Sequence, residues 1–167
     1  MIKIPRIARN CLDTSFFHVM VQGINKEYIF KNNRYIKRYL QLMKEKLNRE
    51  ELEMIAYCIM NNHAHILVKT EDIKKLSKYM QKVNTIYAQY YNYMEGNRVG
   101  YVFRDRYKSE PILDRRQLIQ CVKYIHRNPV KANMVKNEQE YPYSSYHYYV
   151  TGEIQKTNIF EHEEIEY

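Results

Sequence analysis

Residues 53 to 68 read EMIAYCIMNNHAHILV. A run of apolar and aromatic residues, two asparagines and a second apolar run predict two strands joined by a tight turn. Period two then applies. His63 and His65 project to one face of the second strand, with Ala64 on the other. This hairpin is the centre from which the rest is placed. Upstream, SFFHVMVQ (15–22) stops at Gly23 and reads as a strand. Between them, Tyr35, Ile36, Tyr39, Leu40, Met43 and Leu47 fall at helical spacing, predicting a helix over 31–47. Downstream, Glu71-Asp72 opens a second helix running to about Met94, with acids at its positive end. YVFRDRYKSEPIL (101–113) predicts an extended basic strand. Asp114 is an N-cap candidate for a third helix through Arg127, ended by Asn128-Pro129. The order is β α β β α β α. It predicts an α+β fold, a ferredoxin-like or RRM-like antiparallel sheet with helices packed mainly on one face.

The 167 residues suit a single domain, which we place at 1–150 with an acidic tail at 151–167. No stretch approaches the roughly 20 apolar residues of a membrane span. The first ten residues, MIKIPRIARN, lack a signal-peptide core. Three cysteines (Cys11, Cys58, Cys121) are an odd count without metal-type spacing, as expected of reduced thiols in a cytoplasm. Lys and Arg number 27 against 19 Asp and Glu, a net charge of +8. Residues 152–167 hold five of the acids and one Lys, leaving 26 basic against 14 acidic residues before them. Such a surplus suits a polyanionic partner, and nucleic acid first. The 18 tyrosines fit either base-stacking platforms or core and rim packing.

Two imidazoles on one strand face, with no carboxylate between them, are the start of a divalent metal site. They are equally two polar residues of a half-exposed strand, and spacing alone leaves both readings open. It does exclude a zinc finger, since no cysteine pair is near. A two-histidine phosphodiesterase would need a second His-x-Ser/Thr. None of His18, His126, His147 or His162 begins one. On the third helix, Tyr124 and Asn128 are four apart and share a face, among Lys123, Arg127 and Lys131. A tyrosine hydroxyl can be a nucleophile. One tyrosine among 18 is more simply a packing residue, and nothing in the spacing selects Tyr124 or Asn128.

Taken together, these blocks resemble the single-tyrosine HUH transposases, named for a His-hydrophobic-His motif, and among them the REP-associated tyrosine transposases. The resemblance runs from about Ile4 to Tyr149. It is carried by PRIAR and FHVMVQG (with His18 and Gly23), MNNHAHIL (60–67), VFRDRYKS (102–109), YIHRNPVKA (124–132) and YPYSSY (141–146), in the family's order. Asn61 stands where the family usually has Pro, Ala64 where a larger residue is usual, Gln22 for a common Arg and Arg104 for a common Gln. These departures bear on which DNA is recognised.

The resemblance implies a metal-dependent transposase that nicks and rejoins single-stranded or hairpin DNA through a 5′-phosphotyrosine intermediate. It implies Tyr124 as nucleophile. It implies Mg²⁺ or Mn²⁺ held by His63, His65 and Asn128. Arg104, Arg106, Lys108, Lys123, Arg127 and Lys131 would then meet DNA phosphates. The setting would be bacterial cytoplasm, without a membrane, as a monomer or a homodimer. Two other readings remain at this level. One is a non-catalytic RRM-like nucleic-acid-binding protein. The other is a domesticated DNA nickase with the same chemistry and a housekeeping target.

Overall fold

Burial along the strands sets the architecture of the computed structural model, which describes residues 14–47 and 52–151. Strands β1 (Phe16–Gln22), β2 (Glu53–Ile59), β3 (His63–Lys69) and β4 (Lys108–Ile112) form one sheet in the order β2-β3-β1-β4. Every pairing is antiparallel. Helices α1 (Asn33–Leu47) and α2 (Ile73–Met94) supply the crossovers of a ferredoxin-like arrangement. Helix α3 (Arg115–Lys131) follows β4, and a short helix α4 (Tyr146–Thr151) ends the described chain. The PRIAR segment, Cys11 and the acidic tail from 152 lie outside the described residues.

The two faces of the sheet have separate cores. Phe17, Val19 and Val21 of β1 and Ala64, Ile66 and Val68 of β3 pack against α1 and α2. Tyrosines fill much of this layer, and their hydroxyls find acceptors, as buried phenols must. Tyr39 donates to Asn84 Oδ1 at 2.9 Å, and Tyr87 to the Ile29 carbonyl at 2.6 Å. Part of the tyrosine excess is therefore structural. The opposite face packs Ile55, Ala56, Cys58 and Leu67 against Cys121, Val122 and Ile125 of α3. So α1 and α2 share one face and α3 takes the other, the face onto which His63 and His65 point.

The extended basic segment is shorter as a strand than its sequence predicts. Arg104 N–H donates to the Gln22 carbonyl at 2.8 Å, yet Lys108 pairs with Met20. Two residues on β1 are thus matched by four on its partner, and the surplus bulges out of the ladder. Tyr107 uses the bulge to reach Ser77 on α2, hydroxyl to hydroxyl at 2.8 Å. Arg104 and Arg106 lie on this irregular stretch, and only Lys108 is in β4. Pro111 is tolerated because β4 is an edge strand.

Asp72 and Asp114 cap α2 and α3, accepting from Lys74 N–H and Gln117 N–H at 2.8 Å. Asp72 precedes the first helical residue, and the first turn itself holds no acid. Helix α3 does not stop before Pro129 as the Asn-Pro pair predicts. It continues to Lys131 with Pro129 inside it and buried. The proline removes only one donor in the closing turn. Backbone bonds from Ala132 to Asn128 and from Met134 to Pro129, both 3.0 Å, hold that end.

The segment 141–145 covers the free edge of β2. Ile59 N–H donates to the Tyr143 carbonyl and Ser145 N–H to the Tyr57 carbonyl, both at 3.0 Å. The buried Ser145 hydroxyl accepts from Tyr57 N–H at 2.9 Å and lies 2.8 Å from His126 Nε2. Ser145→Ala leaves both buried partners short of a hydrogen bond. It is expected to lower stability by about 1–3 kcal/mol, read as a shifted urea midpoint at unchanged slope.

Candidate active site

The strand register assembles the site. On β3, His63 and His65 leave the α1/α2 core to their neighbours, and their ring centroids are 5.1 Å apart. On β1, Met20 is opposite His65 and Gln22 opposite His63. His18 is one step further along the same face. Its Nε2 lies 3.0 Å from His65 Nδ1, with the rings stacked at 5.1 Å. Glu110 on β4 is directly opposite His18. On the other ligand candidate, His63 Nδ1 lies 2.6 Å from Asn62 Oδ1.

Helix α3 brings Tyr124 over this row. Its ring is 5.3 Å from that of His65 and 6.0 Å from that of His18, edge-on to both. Tyr124 is 40% exposed, although large apolar residues beside it on α3 are buried. Lys131 places its ammonium 5.0 Å from the Tyr124 ring centre, a cation–π contact two turns along the helix. A cavity of about 470 Å³ opens beside them, lined in part by His18, His65, Lys108, Glu110, Gln120 and Tyr124. A tyrosine, two imidazoles and an open space therefore share one face.

Burial holds the three histidines neutral. The His63 and His18 rings are both pushed below the ordinary imidazole range by desolvation, with Glu110 pulling His18 back up. His65, 3% exposed, is pushed down to about 3, first by burial and then by its two histidine neighbours. Neutral imidazole is the form that ligates metal. Neither His63 Nε2 nor His65 Nε2 has a hydrogen-bond partner among the described residues. Asn128 donates its Nδ2 to the Tyr124 carbonyl at 2.9 Å, which leaves its amide oxygen as an acceptor. No group of three His, Cys, Asp or Glu in metal-holding geometry occurs among the described residues. His18 has its Nε2 engaged with His65. Two imidazole nitrogens plus an amide oxygen are thus a donor set compatible with a Mg²⁺ or Mn²⁺ ion that keeps open positions for oxygen ligands.

The basic residues singled out in the sequence divide. Lys108 and Lys131 stand at the site. Arg104 adjoins it through Gln22, the residue opposite His63. Arg106 is exposed, and its carbonyl accepts from Asn84 of α2 at 3.0 Å. Arg127 is exposed and pairs with Glu138 at 3.5 Å, and Lys123 is half-buried on α3. Sequence reasoning gave no site role to His18, Asn62 or Glu110. The alternation of SFFHVMVQ does put His18 on the face away from Val19 and Val21. Its meeting with His65 depends on a register that the sequence does not print.

Comparisons with known proteins bear on the family and the fold. A family model described as "Transposase IS200 like" matches residues 11–128. A Haemophilus influenzae protein named as a REP-associated tyrosine transposase is 26% identical over 155 residues, covering 83% of this chain and 82% of its own. A solved structure of a REP-associated tyrosine transposase bound to a REP hairpin superposes with a TM-score of 0.72 at 15% identity. That match covers 100% of this chain and 95% of the other. A transposase structure from Deinococcus radiodurans gives a TM-score of 0.50 at 12% identity, over 72% of this chain and 95% of its own. At these identities, the two structures speak for the fold. No helix among the described residues is long and apolar enough to cross a membrane.

The depressed His65 has a consequence for stability. In the unfolded chain the ring protonates near its ordinary value of 6.5, while in the folded chain it stays neutral down to about 3. Below pH 6.5 the unfolded state therefore binds more protons, and stability falls as pH falls. His65→Gln is expected to flatten the slope of unfolding free energy against pH between 6 and 4 by about 1 kcal/mol per unit. Urea titrations at stepped pH read it directly.

Proposed function

The chain belongs to the IS200-like transposase family, and we propose that it cleaves and rejoins single-stranded DNA through a covalent tyrosine link. The observation that carries this reading is the placement of Tyr124, half-exposed, edge-on to His65 above the paired histidines. The Tyr124 hydroxyl oxygen attacks a backbone phosphorus as its own proton is lost. The phosphorus–oxygen bond to the preceding nucleotide breaks, and that nucleotide leaves as a 3′-hydroxyl. The product is a 5′-phosphotyrosine. One phosphodiester replaces another, so no external energy source is needed. A DNA 3′-hydroxyl can reverse the step and join strands.

His63, His65 and Asn128 are the residues that would hold Mg²⁺ or Mn²⁺, which supplies Lewis-acid neutralisation of the scissile phosphate's charge. The remaining work falls to the chain itself. Lys131 holds the Tyr124 ring by its face and brings a positive charge to where phosphate must arrive. Lys108, in the lining of the same cavity, adds a second positive charge from β4. Packing of Val122 and Ile125 against the sheet fixes the angle at which α3 offers Tyr124. Arg104, Arg106, Lys123 and Arg127 extend the positive field along the DNA backbone. The substrate is a single strand or a hairpin, by analogy with the relative solved on a REP hairpin. An unpaired phosphate can bend into the row of histidines, whereas a stacked duplex cannot. The place of action is the bacterial cytoplasm, on chromosomal or mobile-element DNA.

Incubation with Mn²⁺ and single-stranded DNA from the flanks of its own gene is expected to give an adduct that survives denaturing gels. Tyr124→Phe should give none, and His63→Ala should lose at least 100-fold in adduct rate, about 3 kcal/mol in barrier. Salt-sensitive binding by all three proteins with no adduct in any would instead favour a non-catalytic nucleic-acid-binding protein. Arg104→Ala and Arg106→Ala should weaken binding to all sequences alike. Each should reduce the slope of log affinity against log salt by about 1, measured by fluorescence anisotropy.

A further inference from the structure

We infer that Asn62 and His18 form an outer pair that fixes the protonated nitrogen of each ligand histidine, so that both rings present a bare Nε2 to the site. The inference rests on the metal-site reading above and adds two residues to which that reading gives no role. A histidine ligates through the nitrogen that lacks a proton, and the bond made by its other nitrogen decides which one that is. An amide oxygen only accepts. Asn62 Oδ1, 2.6 Å from His63 Nδ1, therefore requires the proton on Nδ1 and leaves Nε2 bare. Asn62 is itself tethered. Its carbonyl accepts from Gly23 N–H at 2.9 Å, and its Nδ2 lies 3.4 Å from the Lys26 carbonyl.

The second contact is between two rings. His18 Nε2 and His65 Nδ1, 3.0 Å apart, share one proton between them. If His18 holds it, His65 is left with its proton on Nε2 and cannot ligate there. If His65 holds it, His65 Nε2 is bare and His18 keeps its own proton on Nδ1. The neighbourhood favours the second arrangement. Glu110 lies directly across the ladder from His18 on the same face, and a carboxylate beside this ring favours an N–H on the nitrogen left free by the contact with His65. The row Glu110, His18, His65 crosses three adjacent strands, so the sheet ladder itself sets its spacing. The two ligand candidates thus have different orienting partners, one in the turn before β3 and one on the neighbouring strand. A free imidazole in water prefers the proton on Nε2. Without these partners both rings would be biased toward the form that cannot bind through that nitrogen.

The test begins with the unmodified, full-length, metal-free protein, labelled with ¹⁵N-histidine. Two-bond ¹H–¹⁵N spectra read the proton position on each ring. His63 and His65 are expected with the proton on Nδ1, and a proton on Nε2 of either ring would overturn the inference. Mn²⁺ affinity then tests its consequence, by calorimetry or electron paramagnetic resonance, in variants whose melting temperatures are checked first. Asn62→Ala and His18→Leu should each weaken Mn²⁺ binding 10- to 100-fold. Asn62→Asp and His18→Gln, which keep an accepting oxygen, should stay within a few-fold of the parent. Parent-like affinity in Asn62→Ala and His18→Leu, with His63→Ala unable to bind, would overturn the outer pair and leave the metal site standing. Parent-like affinity in His63→Ala would overturn the metal site itself, while the ring spectra would still decide the proton positions.

Discussion

Strand β3 carries a two-sided constraint on which everything else depends. Ala64, Ile66 and Val68 must enter the layer beneath α1 and α2, because that is where the largest apolar cluster closes. Period two then leaves His63 and His65 no choice of face. A one-residue slip would bury both imidazoles among Tyr39, Tyr79 and Tyr87 and turn three core side chains outward. The stability of the fold and the presentation of the site are therefore one condition. Ala64 fits the same logic. It is fully buried between two polar positions.

The second face could have been left to solvent, as in many half-covered antiparallel sheets. Here α3 covers part of it, docked by Cys121, Val122 and Ile125. Covering the face has two effects. It desolvates His65 and keeps its ring neutral, and it carries Tyr124 to the border between packed and open surface. Helix α3 then has to run far enough for Lys131 to reach back over the Tyr124 ring. That is why its continuation through Pro129 matters. A helix ended at Arg127 would take away the turn that carries Asn128 and the cation. His126, in the same motif, has a different duty. It points into the segment 141–149, where Ser145, Tyr146 and Tyr149 surround it.

Much of this was legible in the residues. The hairpin 53–68 and the helices α1 and α2 follow from local period and turn chemistry, and so does Asp114 as a cap. The joint orientation of His63 and His65 follows from alternation alone. What escaped depends on information that is not local. The basic segment reads as one strand because its alternation continues, but the two surplus residues between Arg104 and Lys108 appear only when β1 is laid beside it. The stop at Asn128-Pro129 is a sound local rule, outweighed by burial of the proline ring in the last turn. His18 gains its partner from a register shared across two strands. Tyr124 was one of 18 tyrosines, and only the family resemblance singled it out. Its position edge-on to His65 and His18 is the geometric ground on which the proposal for it rests. The fate of the other tyrosines is equally physical, since several are core side chains whose hydroxyls meet backbone or amide acceptors.

The central claim is that one tyrosine becomes bonded to DNA phosphorus above a histidine pair. The most direct test is to trap the protein on a single-stranded oligonucleotide with Mn²⁺, digest both components, and locate the nucleotide-bearing peptide by tandem mass spectrometry. The account predicts a 5′-linked nucleotide on the peptide containing Tyr124, at the phenolic oxygen. A nucleotide on another tyrosine, or a 3′-phosphate linkage on any residue, would contradict it.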